Sequence, residues 1–198
     1  MSIETPKIKF KSLPKTICFL VSGKAGVGKT TFSNMLYEIA SGIGYSTRVC
    51  NFAYTLKAFA KSMGWDGNKD TRGRKFLQEL GGTVRNYNPD TWARFTFDRI
   101  LESDSYPYDI ISIDDWRFPN EYEYIIKNEP LYHPVTVRIL ADSLEILRGT
   151  PEYTDISETS LDAFKFDYII RNDLSLEDLN KSAQALMEHT IGKVRSGN

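Results

Sequence analysis

The sequence is poor in cysteine and histidine, which excludes several classes of protein at once. Only two of its 198 residues are cysteine and two are histidine. Cys18 and Cys50 are too few for a disulfide framework or a cysteine-based zinc site. Each lies in an apolar, strand-like run, so we expect buried free thiols in a reducing compartment. His133 and His189 are far apart and belong to no metal-spaced cluster.

An excess of one charge and long apolar segments are also lacking. The chain has 25 Lys and Arg against 26 Asp and Glu, a net charge of −1, which argues against binding to nucleic acid or a membrane by bulk charge. No apolar run approaches the roughly 18 residues of a membrane span. The polar first 15 residues have no apolar core typical of a secretory signal. We therefore expect a cytoplasmic protein with neither nucleic acid nor membrane as a partner.

What the chain does contain is an alternation of short apolar runs and helical patterns. An apolar stripe at helical spacing over 32–43 predicts the first helix, and Ser175 with Asp178 forms a capping-box pattern that opens the last one. Pro89 after Asn88 predicts another helix start. Five apolar runs predict buried strands: Thr16–Val21, Thr47–Phe52, Tyr108–Ile113, Val135–Leu140 and Phe166–Ile170. The alternation predicts an α/β fold with a five-stranded parallel sheet and helices on both faces.

Two stretches stand apart from this alternation. Residues 54–104 are predicted to be mainly helical and carry many basic and polar side chains. Residues 141–164 are polar, with a short helical piece predicted around Leu144 to Arg148. We expect one domain over residues 1–198, in which these two stretches are the mobile parts.

The run from Gly23 to Thr30 matches the phosphate-binding pattern G-x-x-x-x-G-K-[ST] (the P-loop). Its glycines let backbone N–H groups approach phosphate oxygens, Lys29 reaches the β- and γ-phosphates, and the Thr30 hydroxyl binds Mg²⁺. The run follows a predicted strand and opens a predicted helix, which is the context that this motif requires. We predict a nucleoside triphosphate site with these phosphate-binding residues: Gly23, Lys24, Ala25, Gly26, Val27, Gly28, Lys29, Thr30 and Thr31.

An acidic pair follows the third predicted strand. Asp114 and Asp115 end that strand, and Arg117 comes shortly after them. One aspartate can hold Mg²⁺ through water together with Thr30, while the other orients an acceptor oxygen. We assign Asp114 to the metal and Asp115 to the transfer site, an order that the sequence leaves open. Arg117 is placed to bind a phosphate in a bidentate manner.

The type of P-loop protein follows from what else is present. Asn68-Lys69-Asp70 lacks the spacer of the guanine-binding N-K-x-D motif, and the chain is small for a motor ATPase. A small-molecule kinase fits better; it needs an acceptor pocket and a closing segment that supplies arginines. One arginine of this kind stabilises charge on the phosphoryl group as it moves. For this role we predict Arg148 first and Arg138 second.

Four further stretches resemble the phage-type deoxynucleoside monophosphate kinases, within the nucleoside monophosphate kinase group, over about 18–179. Asn51–Lys57 is similar to the F-A-D-x-L-K segment of that family, and Arg74–Gly81, followed by Arg85, is similar to its R-x-L-L-Q-x-x-G block. Asp115–Glu121 resembles its D-x-R-F-P-N-E signature, and Ser157–Thr159 with Asn172–Ser175 resembles its S-E-T and N-D-x-S stretches.

This resemblance implies a P-loop kinase-like three-layer sandwich that transfers the ATP γ-phosphoryl group to a deoxynucleoside monophosphate, with Mg²⁺ as cofactor. It places Asp115 and Arg117 at the transfer site and Asn172 near the adenine. Tyr54 stands where the family usually has aspartate, and Asp155 stands where a histidine is common, so neither receives a role. The implied acceptor residues are Phe52, Lys57, Arg74, Gln78 and Arg85.

Two alternatives stay open on the residues alone. One is a P-loop kinase of a non-nucleotide phosphorylated metabolite, and the other is a nucleotide-binding regulatory protein without an acceptor. The bases accepted also stay open. The oligomeric state is equally open, with a homodimer as the commonest assembly.

Overall fold

A computed structural model describes residues 12–141 and 148–197, with the backbone alone at 151 and 152. The strands are β1 (Thr16–Ser22), β2 (Thr47–Cys50), β3 (Ile110–Ile113), β4 (Tyr132–Leu140) and β5 (Tyr168–Arg171). The α-helices are α1 (Lys29–Gly42), α2 (Ala53–Ser62), α3 (Thr71–Tyr87), α4 (Thr91–Leu101), α5 (Pro119–Asn128), α6 (Ile156–Thr159) and α7 (Leu176–Ser196). A 3₁₀ turn spans Pro151–Thr154.

The five strands form one parallel sheet in the order β2-β3-β1-β4-β5. Successive side chains of a strand point to opposite faces, and the central strand β1 is buried on both. Its Ile17, Phe19 and Val21 pack in the core beneath α1 and α7. Its Cys18 and Leu20 pack in the core on the α4 and α5 side. The α/β sandwich with a five-stranded parallel sheet is therefore confirmed.

The order of the strands places the polar loops that matter for function. The carboxyl ends of the adjacent strands β1 and β3 run into the P-loop and the Asp114–Asp115 pair, respectively. In open parallel sheets, ligands bind in the crevice at this edge. The helices α2, α3 and α4 occupy most of residues 54–104 and lie beside the same edge.

Several predicted boundaries move. The strand predicted through Phe52 stops at Cys50, and Phe52 precedes α2. The helix predicted from Asn88-Pro89 begins at Thr91, because Asn88 ends α3 and its Oδ1 accepts the Asp90 N–H at 3.1 Å in a turn. Residues 144–147 of the predicted piece around Leu144 to Arg148 lie outside the described residues.

Helix α5 is absent from the predictions, although its start carries the usual signals. Pro119 occupies its first turn, and Glu121 folds back so that its Oε2 accepts the Phe118 N–H at 3.1 Å. Proline at the first turn and glutamate at the third position favour helix initiation. At the other end of the chain, the predicted Ser175–Asp178 capping box is confirmed at the start of α7. In the described ranges, no helix is long and apolar enough to span a bilayer.

Candidate functional site

The P-loop adopts a backbone that two of its glycines make possible. Gly23 has φ +152° and Gly28 has φ +97°, values that side-chain-bearing residues rarely adopt. A Cβ on Gly23 would lie 2.6 Å from the Ile139 carbonyl oxygen, and one on Gly28 would lie 2.6 Å from Asn172 Nδ2. The loop therefore wraps tightly between β1 and α1, with β4 and the residues after β5 behind it.

Lys29 is folded back on this loop. Its side chain is buried, and its Nζ donates to the carbonyl oxygens of Gly23 and Lys24, each at 2.8 Å. Burial, with Arg117 as the next cause, lowers the pKa of Lys29 to about 8. A buried ammonium needs acceptors, and Lys29 takes those of its own loop.

Thr30 and Asp114 face each other across the edge of the sheet. The Thr30 hydroxyl donates to Asp114 Oδ2 at 2.7 Å. Hydroxyl and carboxylate oxygens are the ligands that Mg²⁺ prefers, and Mg²⁺ takes its remaining ligands from water and substrate phosphates. Among the described residues, no group of three Asp, Glu, His or Cys side chains is arranged to hold a metal unaided. The pair thus fits a Mg²⁺ that arrives with a nucleotide.

Asp115 faces a different element. Its two carboxylate oxygens accept the backbone N–H groups of Phe52 at 2.7 Å and Ala53 at 3.0 Å. Burial and the neighbouring Asp114 raise the pKa of Asp115. Asp115 therefore fixes the first turn of α2 to the end of β3, and Asp114 is the aspartate beside Thr30.

A cavity of about 400 Å³ begins at the P-loop and continues beneath α2 and α3. The volume lies in the range of small-molecule sites. Gly26, Lys29 and Thr30 of the P-loop line one part of it, with Asp114, Asp115 and Arg117 beside them. The residues that the resemblance assigns to an acceptor all line the same cavity: Phe52, Lys57, Arg74, Gln78 and Arg85. The fold brings together residues far apart in the sequence: Ala25 and Glu158, which also line the cavity, are 133 positions apart.

Three cations from separate elements converge in this cavity. They are Lys57 on α2, Lys69 between α2 and α3, and Arg74 on α3. Lys57 is the largest cause of a lowered pKa at Lys69, followed by burial and then Arg74. In the parts of the chain that the structure describes, none of the three has a carboxylate within ion-pair distance. Unneutralised like charges of this kind favour an anionic ligand.

Lys69 is the residue of this cluster that the sequence reasoning missed. In the sequence, Lys69 stands out only as part of an imperfect guanine-binding motif. No local pattern distinguishes it, because the bend between α2 and α3 alone brings it opposite Lys57.

Glu121 forms part of the cavity wall behind Arg117. Its carboxylate is buried, and Oε2 accepts the N–H groups of Arg117 and Phe118, each at 3.1 Å. Burial raises the pKa of Glu121 to about 7, against its ordinary value of 4.5. Nearby Arg85, whose guanidinium lies 3.9 Å above the Phe118 ring, opposes that rise.

We expect Glu121→Gln to remove a pH dependence from folding stability. A raised pKa means that the folded protein holds the proton more tightly than the unfolded chain does, so Glu121 costs stability as pH rises from about 4.5 through about 7. The shift corresponds to on the order of 3 kcal/mol. Urea unfolding at pH 5 and pH 8 should show the variant gaining stability over wild type at pH 8 only. Glu123→Gln, at an exposed position of the same helix, is the control, and a gain equal at both pH values would contradict the prediction.

Residues 155–162 lie against the P-loop, and the first four of them, 155–158, line the cavity. Lys24 Nζ donates to the Glu158 carbonyl oxygen at 2.6 Å and pairs with Asp162 at 3.1 Å. The side chain of Asp155 caps α6 by accepting the Ser157 N–H at 2.8 Å. Glu158 and Asp162 received no role from the sequence, although Glu158 lies within the S-E-T stretch.

The remaining predicted residues lie outside the cavity lining. Arg138 on β4 donates to Ser22 Oγ at 3.2 Å and pairs with Asp162 at 2.9 Å. Arg148 is exposed, so neither candidate for the transfer arginine lies in the cavity of this conformation. Asn172 is buried behind the P-loop, where its Nδ2 donates to the Val27 carbonyl at 3.1 Å. Tyr54 is half exposed beneath the Arg99 guanidinium.

Comparisons with known proteins give a fold but no family. No model of a known protein family matches the sequence, and no curated protein matches it. Among solved structures, a gluconokinase from Sinorhizobium meliloti 1021 matches with a TM-score of 0.51 and 14% identity, over 93% of this chain and 97% of that one. The protein APE1195 matches with a TM-score of 0.51 and 14% identity, over 91% of this chain and 99% of that one. At this identity the likeness establishes a shared fold, the P-loop kinase-like sandwich.

Proposed function

We propose that the protein is an ATP-dependent kinase that transfers the γ-phosphoryl group to a deoxynucleoside 5′-monophosphate, giving ADP and a deoxynucleoside diphosphate. One observation carries the proposal: a single cavity joins the P-loop to the three cations beneath α2 and α3, none of which forms an ion pair with a described carboxylate. A protein that only bound or hydrolysed a triphosphate would have no use for the second part of that cavity. The deoxynucleotide class comes from the resemblance of the motif stretches.

The donor side is supported by the P-loop and its acidic neighbour. The loop amides and Lys29 would bind the phosphates of ATP. Thr30 and Asp114 would hold Mg²⁺, which neutralises charge on the phosphates as the phosphoryl group moves. Asp115, held by the amides of Phe52 and Ala53, would act by keeping α2 in place beside the reacting groups.

The acceptor side is supported by the positive charges and by the aromatic residues that line the cavity. Lys57, Lys69 and Arg74 suit a molecule that already carries a phosphate, because a neutral acceptor would leave their repulsion uncompensated. Phe52 and Trp92 are aromatic residues of the cavity lining, and flat rings of this kind suit a nucleobase. In this arrangement the acceptor phosphate would lie in line with the γ-phosphate of ATP. Holding the two substrates in this geometry and neutralising their phosphate charges would supply most of the catalysis.

A coupled assay of ADP release, with Mg·ATP and a panel of acceptors, tests the proposal. The panel contains the common deoxynucleoside and ribonucleoside monophosphates and several non-nucleotide sugar phosphates. We expect at least one deoxynucleoside monophosphate to raise ADP release well above the rate with ATP alone. Turnover with sugar phosphates only would support the metabolite kinase, and a rate indifferent to every acceptor would exclude a kinase of these substrates.

We expect Lys69→Met to raise the KM for the acceptor about tenfold or more, because a hydrogen bond to a charged group is lost, while the KM for ATP stays within about twofold. The ligand-free variant should also have a slightly higher melting temperature than wild type, since one of three repelling cations is gone. Lys61→Met, on an exposed position of α2, controls for the loss of a lysine. Equal changes in both KM values would place Lys69 outside the acceptor site.

A further inference from the structure

The carboxylate of Glu158 occupies an anion site at the P-loop. Its Oε2 accepts the backbone N–H of Ala25, inside the loop, at 3.1 Å. Its Oε1 pairs with Arg117 Nη1. Lys29 is close enough for the Glu158 charge to raise the Lys29 pKa, against the lowering effects of burial and of Arg117. A loop amide, an arginine and a nearby lysine are the groups that bind a phosphate oxygen.

This contact is a buried one. Only 5% of the Glu158 side chain and 25% of the Arg117 side chain is exposed. The Arg117 Nη1 also donates to the Ser157 carbonyl oxygen at 2.8 Å, so the arginine is held by two consecutive residues of α6. An aromatic contact beside this pair also joins the two parts of the chain: Trp116, next to Arg117, meets Phe164 edge to face with ring centres 4.9 Å apart.

We propose that Glu158 is a positioning residue that takes the place of a phosphate oxygen in the nucleotide-free protein and holds Arg117 ready beside the P-loop. The inference rests on the proposed function only in that the P-loop must bind a nucleoside triphosphate. When the triphosphate enters, its oxygens replace the carboxylate at the Ala25 amide and at Arg117. The positive charge of Arg117 is then balanced by a phosphate instead of by the Glu158 carboxylate.

This arrangement has an energetic consequence for nucleotide binding. A carboxylate cannot share a site with a triphosphate, because the two are negatively charged and need the same donors. The measured affinity is therefore reduced by the fraction of molecules in which Glu158 has released the site. If Glu158 holds the site in nine of ten molecules, the apparent Kd is weakened about tenfold.

The test compares wild type with Glu158→Gln for binding of Mg²⁺ and the non-hydrolysable ATP analogue that has nitrogen between its β- and γ-phosphorus atoms. The glutamine keeps the shape of the side chain but has no charge to compete with a phosphate. We expect the Kd of the analogue, measured by calorimetry without any acceptor, to fall about tenfold. Glu177→Gln, in an exposed i,i+4 pair with Lys181, should leave the Kd within about twofold of wild type.

A thermal-shift measurement separates this role from a merely structural one. The ligand-free Glu158→Gln variant should melt below wild type, because Arg117 has lost its buried partner. The increase in melting temperature on adding the analogue should nevertheless be larger than in wild type. Damage to the fold would lower the melting temperature and shrink that increase as well.

A Kd of the variant that is unchanged or weaker than that of wild type would overturn the inference. That result is distinguishable from failure of the proposed function, which would show as binding of the analogue with no acceptor-dependent ADP release. No detectable binding of the analogue to either protein would overturn both.

Discussion

Lys29→Ala should lower acceptor-dependent phosphoryl transfer by about 10²–10³-fold, the usual effect of removing one preorganised group that stabilises transition-state charge. In the nucleotide-free protein, Lys29 donates to the carbonyls of Gly23 and Lys24. In the proposed mechanism, Lys29 exchanges these carbonyl oxygens for phosphate oxygens when ATP binds, and its ammonium already lies beside the P-loop backbone. The measurement is kcat from ADP release with a saturating acceptor.

Because Lys29 is buried, its removal leaves a small void and two carbonyls without a donor. Lys29→Met, which fills the volume, separates this structural effect from the loss of charge, and both variants should lose activity alike. Lys127→Ala, at an exposed position of α5, should behave as wild type. A Lys29→Met variant with a normal melting curve and a normal kcat would remove Lys29 from the chemistry.

The pKa of Lys29 provides an independent check. With a pKa of about 8 in the free protein, Lys29 loses its charge as pH rises through that value, while phosphates bind its protonated form. The Kd of the ATP analogue should therefore weaken by up to about tenfold for each pH unit above 8 in wild type. The same titration with Lys29→Met should lack this dependence.

Features of the fold and the site that depend on residues close together in the sequence were predictable, whereas features that depend on distant contacts were not. The P-loop was predictable because its spacing, its glycines and its place between a strand and a helix are local. The parallel sheet followed from buried apolar runs separated by helical patterns. The α4 boundary was missed, since whether Asn88 caps the next helix or ends the previous one depends on the turn at Asp90.

The site beyond the P-loop was harder to predict because it is assembled by contacts distant in sequence. Phe52 and Asp115 are joined by a hydrogen bond across 63 positions, and Ala25 and Glu158 by one across 133. Motif resemblance selected Lys57 and Arg74, but nothing local distinguishes Lys69 from a surface lysine. Arg148 lies in the polar segment 141–164 and Arg138 lies on β4, and neither lines the cavity, whereas Arg117 lines it beside the P-loop.

Arg117→Lys should lower kcat by about 10²-fold while changing the Kd of the ATP analogue by only a few-fold. Arg117 lines the cavity that the P-loop shares with the three cations, and in the proposed reaction charge develops in this cavity during transfer. Lysine keeps the charge but lacks the planar fork that binds two oxygens at once. Arg171→Lys, an exposed arginine on β5, should leave kcat unchanged, and a normal kcat in Arg117→Lys would mean that Arg117 only anchors α6.

Combining the two substitutions tests whether Arg117 and Glu158 act as one unit. Arg117→Ala leaves the Glu158 carboxylate beside the P-loop without its partner, so nucleotide binding should weaken as well as kcat. Adding Glu158→Gln removes the unpaired charge and should tighten the Kd by clearly more than the roughly tenfold expected in the wild-type background. It should not restore kcat, because the arginine is still missing. Independent sites would give additive changes in free energy. If Glu158→Gln changes the Kd by the same factor with and without Arg117, the carboxylate and the arginine do not share the phosphate site.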